Sequence, residues 1–377
     1  MSAVDRPLVH FTAPSGWIND PNGLVYFEGE YHLFYQYIPH RPDGGVGGSF
    51  SPHWGHAVSA DLVQWSHLPI ALYPDHLGAI YSGSVVVDWH DTSGLFGGRS
   101  GLVAIFTHHN ASSAPLSPEV QSIAWSADRG RTWTAYLDNP VIANPGVRDF
   151  RDPKVFWHVP TGRWVMVVTY GGDRVRFYSS ANLRDWSQTG EFGAGQGAQS
   201  ATWECPDLFE LPVDGDLRHT YWVLNVSTYH AAAVSDRVGM QYFVGDFDGV
   251  TFRNANPAGL VLTTDQGCDN YAAVTWSDMP ANDGRRVMIG WMSDWAYARQ
   301  TCAGRFVHPS PELPSVQHHR TRSLQPPSSA GRRSDRPLVK RADEPNGQHR
   351  PSPRPRSPPP AHRRPPPLCV LKPDASR

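Results

Sequence analysis

The sequence predicts an all-β fold, and three observations carry that expectation: many short strand-like runs, a recurring turn signature, and the lack of any helical period. Leu24 to Phe27, Tyr31 to Tyr35, Ser84 to Val87, Leu102 to Phe106, Trp164 to Thr169, Tyr221 to Val226 and Arg286 to Ile289 are rich in β-branched and aromatic residues. Such side chains suit a pleated, half-buried surface, and the Gly, Pro, Asn and Asp between the runs favour tight turns. No segment sustains a 3.6-residue apolar spacing.

The turn signature narrows the architecture. Ser59-Ala60-Asp61-Leu62-Val63-Gln64-Trp65, Ser126 to Trp133 and Ser179 to Trp186 each run from a Ser through a polar turn to a closing Trp. A fourth copy, Gly245 to Phe252, closes on Phe. The closing aromatics lie 68, 53 and 66 residues apart, which suits one four-stranded sheet with its loops per period. Radial repetition of such sheets makes a β-propeller, and four copies plus strands left over at each end predict five blades over residues 1–302. A β-sandwich with chance Trp positions is the alternative reading.

Composition limits what such a body does. The chain has 377 residues and 40% hydrophobic content, enough for a substantial core. Its net charge of −2 hides a split: residues 1–302 carry 18 Lys and Arg against 30 Asp and Glu, whereas residues 303–377 carry 15 against 5. An acidic body argues against a nucleic-acid or anionic-membrane surface and favours a neutral substrate. Cys205, Cys268, Cys302 and Cys369 have neither metal-ligand spacing nor a disulfide framework, so free thiols are expected. Met1 to Gly16 has no apolar stretch of signal-peptide length, and no run is apolar enough to span a bilayer. The expectation is a soluble, cytoplasmic protein. Residues 303–377 hold 17 of the 35 prolines and no Trp or Tyr, which predicts a disordered tail. The abrupt change at Cys302 also fits a frame-shifted translation of GC-rich coding sequence.

The chemistry is expected at three acidic clusters. Trp17-Ile18-Asn19-Asp20-Pro21-Asn22-Gly23 precedes the first predicted strand; taken alone, it reads equally as a tight turn. Asp149-Phe150-Arg151-Asp152-Pro153 and Trp203-Glu204-Cys205-Pro206-Asp207 change the balance, because each sets a carboxylate among Trp, Phe and Pro. Spacings of 132 and 52 residues put Asp20, Asp152 and Glu204 on different blades, whose inner strands converge on the axis. Carboxylates crowded in a partly apolar funnel do not all ionise, so one becomes a proton donor near neutral pH. Glycosidic cleavage needs that arrangement: one carboxylate at the anomeric centre and another protonating the leaving oxygen, about 5–5.5 Å apart for retention.

Those three motifs, in that order, resemble the signatures of glycoside hydrolase family 32, the invertases, levanases and inulinases. The resemblance extends over residues 8–300 through Tyr35-Gln36-Tyr37, Trp54-Gly55-His56-Ala57, Tyr81-Ser82-Gly83-Ser84, Asp269 to Ala273 and Gly290-Trp291-Met292. It implies a five-bladed propeller followed by a β-sandwich, with sucrose, levan or inulin as substrate and no metal or organic cofactor. It further implies Asp20 as nucleophile, Glu204 as acid/base, and Asp152 as transition-state stabiliser, helped by Arg151. Asn19, Gln36, Ser82 and Trp291 would line the fructose pocket, with Tyr81 beside them. The chain departs from the pattern at Ile38-Pro39 and Gly44 to Gly48, where the family usually has Asn-Pro and then Trp-Gly, and after Ala298, where the Pro/Arg segment stands in place of the last strand and the sandwich. An incomplete last blade is therefore expected. Two other readings stay open: a propeller that binds sugars without turnover, and an arabinan- or xylan-cleaving relative, which shares three acids but does not predict Asn-Asp-Pro-Asn-Gly.

Overall fold

The computed structural model describes residues 10–40, 50–110, 119–229, 239–267, 269–280, 282–293, 295 and 297–298. The expectations for residues 303–377, for Gly44 to Gly48 and for Cys268, Cys302 and Cys369 lie outside them.

The described residues form an all-β, propeller-like arrangement of antiparallel sheets. The first sheet is the meander β1 (Trp17–Phe27), β2 (Glu30–Ile38), β3 (His53–Ser59) and β4 (Ser66–Leu72). The second is β5 (Ala79–Asp88), β6 (Gly101–His109), β7 (Glu119–Ser126) and β8 (Thr134–Ala135). The third is β9 (Lys154–His158), β10 (Arg163–Tyr170), β11 (Arg174–Ser180) and β12 (Trp186–Phe192). The fourth is β13 (Thr202–Val213), β14 (Asp216–Tyr229), β15 (Gly239–Phe247) and β16 (Phe252–Asn254), with β17 (Leu262–Thr263) also paired to β15. A final pair, β18 (Tyr271–Thr275) and β19 (Met288–Trp291), completes the set. The last predicted run, Arg286 to Ile289, thus starts two residues before its strand; Arg286 instead spends a guanidinium hydrogen bond on the Trp276 carbonyl.

The repeated Ser-to-Trp signature is the hairpin between the third and fourth strands of each sheet. Ser59 Oγ accepts from the Leu62 amide at 2.8 Å, and Ser126 Oγ from the Gly130 amide at 2.8 Å. Each turn then passes through a left-handed residue: Leu62, Arg129, Leu183 and Gly249 all have positive φ. The closing Trp133 and Trp186 donate their indole N–H groups back to Gly130 and Leu183 carbonyls. A serine acceptor, a left-handed step and an aromatic clasp recur because the same turn is built each time.

The first strand of each sheet faces the centre. β1 packs against β5, β5 against β9, β9 against β13, β13 against β18, and β18 against β1, so these strands form a closed ring. Apolar side chains fill each gap: Val25, Phe34 and Trp54 meet Val85 and Phe106; Val86 and Ile105 meet Val155 and Met166; Val165 and Phe177 meet Trp203 and Phe243; Phe209 and Val223 meet Ala273 and Met288; Trp276 and Ile289 meet Leu24 and Leu33. Burying each such side chain contributes about 1.5–3 kcal/mol, so every sheet is held on both faces by its neighbours. Backbone bonds seal the ring, with Ser277 donating to the Leu24 carbonyl at 2.9 Å and the Tyr26 amide to the Ser277 carbonyl at 3.0 Å.

Candidate active site

The acidic motifs sit at or just before the starts of ring strands, and β1 and β13 are bulged there. Trp17 to Gly23 does not precede the first strand, as its turn-forming residues led us to expect; it lies within β1. Pairing with β2 steps from Ile18 to Pro21 against Tyr37 to Tyr35, so three residues on β1 span two on β2. The same one-residue excess occurs at Ile80 to Gly83 in β5, Glu204 to Asp207 in β13, and Tyr271 to Val274 in β18. A bulge breaks strict alternation and re-aims side chains. It also accommodates Pro21 and Pro206, which have no N–H to give to the ladder. Asp152, just before β9, and Cys205 are held at positive φ by the surrounding structure.

The result is one cavity of about 340 Å3 onto which Asn19, Asp20, Gln36, Tyr81, Ser82, Arg151, Asp152 and Glu204 all face. Asp20 accepts hydrogen bonds on both oxygens, from Ser82 Oγ at 2.7 Å and from Asn19 Nδ2 at 3.0 Å. Trp17 Nε1 in turn fixes the Asn19 amide at 2.9 Å. Asp152 accepts from the Cys205 amide at 2.9 Å, and the buried Cys205 thiol lies 3.7 Å from Asp20 and 3.6 Å from Asp152. Arg151 donates to Glu204 at 2.7 Å, and the Tyr271 hydroxyl donates to the other Glu204 oxygen. The buried Gln36 amide nitrogen has no hydrogen-bond partner among the described residues, which leaves a donor free for a bound hydroxyl.

Trp291 differs from its predicted place. It is fully buried, wedged against Trp17 and Trp295, and does not reach the cavity. The wall expected from Trp291 is made by Trp295 and Phe50. Sequence reasoning also missed Glu119, which accepts from Arg151 at 3.1 Å and from the Phe150 amide at 2.8 Å; Asp149, named in the acidic motif without a role, is a further partner of Arg151. His109, stacked 4.2 Å from Tyr81 with the rings nearly parallel, was missed as well. Tyr271 was visible only as part of a motif.

Burial, with neighbouring charge behind it, acts on Asp20 and Asp152, and the clearest effect falls on Asp152. Burial raises its carboxyl to about 8, opposed by Arg151 and reinforced by the charges of Glu204 and Asp20. Burial and then Glu204 push Asp20 up too, against its Ser82, Asn19 and Cys205 hydrogen bonds. An acid with a raised folded-state value favours folding only while it carries its proton. Its contribution is complete below the ordinary value of 3.8 and is lost as pH rises through about 8. The melting temperature is therefore expected to fall across that window, and Asp152→Asn should flatten the fall. Thermal unfolding at a series of pH values measures it; identical slopes in the two proteins would reject the assignment.

Comparison with known proteins identifies the family. Residues 10–310 match the family described as Glycosyl hydrolases family 32 N-terminal domain. The chain belongs to glycoside hydrolase family 32. It is 56% identical over 294 residues to a levanase of Bacillus subtilis, a match covering 78% of this chain and 42% of the relative. It is 40% identical over 312 residues to an invertase of Schizosaccharomyces pombe, covering 79% and 50%. Among solved structures, exo-inulinase from Aspergillus awamori superposes with a TM-score of 0.70 at 35% identity, covering 83% of this chain and 64% of that one. The β-fructofuranosidase of Schwanniomyces occidentalis, complexed with fructosyl-erythritol, gives 0.69 at 36% identity, covering 78% and 56%. The chain thus spans about half the length of the curated relatives it matches. The family 32 match contains every residue of the carboxylate cluster.

Proposed function

We propose that this chain is a glycoside hydrolase releasing terminal, non-reducing β-D-fructofuranosyl units from fructans and sucrose by a retaining double displacement. The observation that carries the reading is the approach of Asp20 and Glu204 to one cavity with Asp152 alongside, each in a different hydrogen-bonding environment. Asp20 has a donor on each oxygen, which stabilises a carboxylate poised to attack the anomeric carbon. Glu204 is the more open of the other two, at 18% exposure against 6% for Asp152, and so is placed to give a proton to the leaving oxygen and take one from water. Asp152 and Gln36 would bind the fructose hydroxyls, with Arg151 holding Glu204 in position. The names of the relatives, levanase, invertase and exo-inulinase, support the substrate class. We further take the β18–β19 pair as the inner part of a fifth blade, because it occupies the one gap in the ring between β13 and β1.

Incubation with levan, inulin and sucrose in the presence of methanol tests the reading. Free fructose and methyl β-fructofuranoside are the expected products. An inverted methyl fructoside would overturn the double displacement, and arabinose from arabinan without fructose release would overturn the substrate class.

A further inference from the structure

A second cavity, of about 390 Å3, lies at the other ends of the same ring strands. The acids lie near the starts of β1 and β13 and just before β9, whereas this cavity is framed by Val86 to Asp88 at the end of β5, Phe156 and Trp157 in β9, Leu208 to Glu210 in β13, and Ser277 and Asp278 beyond β18. It is slightly larger than the cavity that holds the acids, and it falls within the range of small-ligand sites.

Its walls are aromatic and open to water. Trp89 is 52% exposed and Trp157 39%, although most large aromatic side chains of the sheets are buried. Neither ring is loose. Trp89 donates its indole N–H to Asp278 at 3.0 Å and meets Phe27 edge-on, while Trp157 stands edge-on to Trp164, itself tied to Thr92 at 2.8 Å. An exposed indole with a fixed orientation offers its face to a ligand at little entropic cost. Arg286 adds donors: one guanidinium nitrogen bonds the Trp276 carbonyl, and no carboxylate lies within ion-pair distance among the described residues. Asp278 and Glu210 face the same space, so a free anion is repelled. Hydroxyl groups are not, because they donate to carboxylates and accept from a guanidinium.

Rigid aromatic faces beside mixed donors and acceptors recognise a neutral saccharide. We infer that this cavity is a second, non-catalytic sugar site that holds a fructan chain away from the scissile end; the choice of fructan rests on the proposed activity. A polymer engaged at both cavities is retained by effective concentration, whereas sucrose is too short to gain.

The test uses the full chain carrying Asp20→Asn, titrated with nystose and with levan while tryptophan fluorescence is followed. Two saturable phases are expected with nystose. Adding Trp89→Ala and Trp157→Ala should remove one phase and weaken levan binding by about ten-fold. On the Asp20 background the same pair should leave sucrose turnover unchanged. If the double variant does not unfold like its parent, Trp157→Leu alone replaces it. A single phase in both proteins, or unchanged levan affinity, overturns the second site. Failure of the proposed activity reads differently: no fructose is released, yet the phase sensitive to Trp89 and Trp157 persists.

Discussion

Replacing Asp20 by Asn or Glu204 by Gln is expected to lower kcat on sucrose and levan by about 10³-fold or more, because each removes a group that forms a bond or transfers a proton. The two losses are separable. Fructosyl fluoride needs no acid to expel its leaving group, so Glu204→Gln should still be labelled by it, and mass spectrometry should find the label on the peptide containing Asp20. Asp20→Asn should stay unlabelled. Both variants should fold, since Asp20 and Glu204 face the cavity and the apolar gaps between sheets do not involve them. Turnover near the parent's in either variant defeats the assignment.

The largest expected effect on stability lies below the acids, where Lys154 of β9 ties three sheets together. Its ammonium donates to the Thr275 carbonyl at 2.8 Å and lies 3.3 Å from Asp207 Oδ1, and the Thr275 amide donates to the other Asp207 oxygen at 2.6 Å. Both charged side chains are buried. Lys154→Met strands a buried carboxylate and should cost about 3–5 kcal/mol, read as a shift of the denaturant midpoint at constant slope. Adding Asp207→Leu to Lys154→Met should recover much of that loss, because the stranded charge is gone. A double variant no more stable than Lys154→Met would show that the pair does not act through charge compensation.

Legibility in the sequence followed locality. Three of the hairpin turns were readable because Ser, Asp or Asn, and Trp act within eight residues of one another, and the structure uses them that way. The acids were readable because Pro21, Pro153 and Pro206 mark places where a regular ladder cannot continue. What those prolines mark was misread at β1: a turn was expected, and the chain bulges inside a strand instead. Glu119 and His109 left no signal, since their roles depend on Arg151 and Tyr81 arriving from 32 and 28 positions away. Trp291 was misplaced because a motif gives the residue and not the direction of its ring; between Trp17 and Trp295 that direction is inward. The second cavity was invisible because it joins the far ends of strands whose beginnings attracted attention.

The seal of the ring sets the order in which a nascent chain becomes competent. Trp276 gives its indole N–H to the His32 carbonyl across 244 residues of sequence, next to the backbone bonds that join Ser277 to β1. Closing so long a loop is entropically costly and slow, so the earlier sheets form by local hairpins while the ring is still open. Asp20 stands on the strand that waits for this partner, and Tyr271, which fixes Glu204, arrives with it. On the ribosome, then, a chain already carrying all three carboxylates is still an open arc, and the candidate site is assembled only when β18 and β19 come in beside β1.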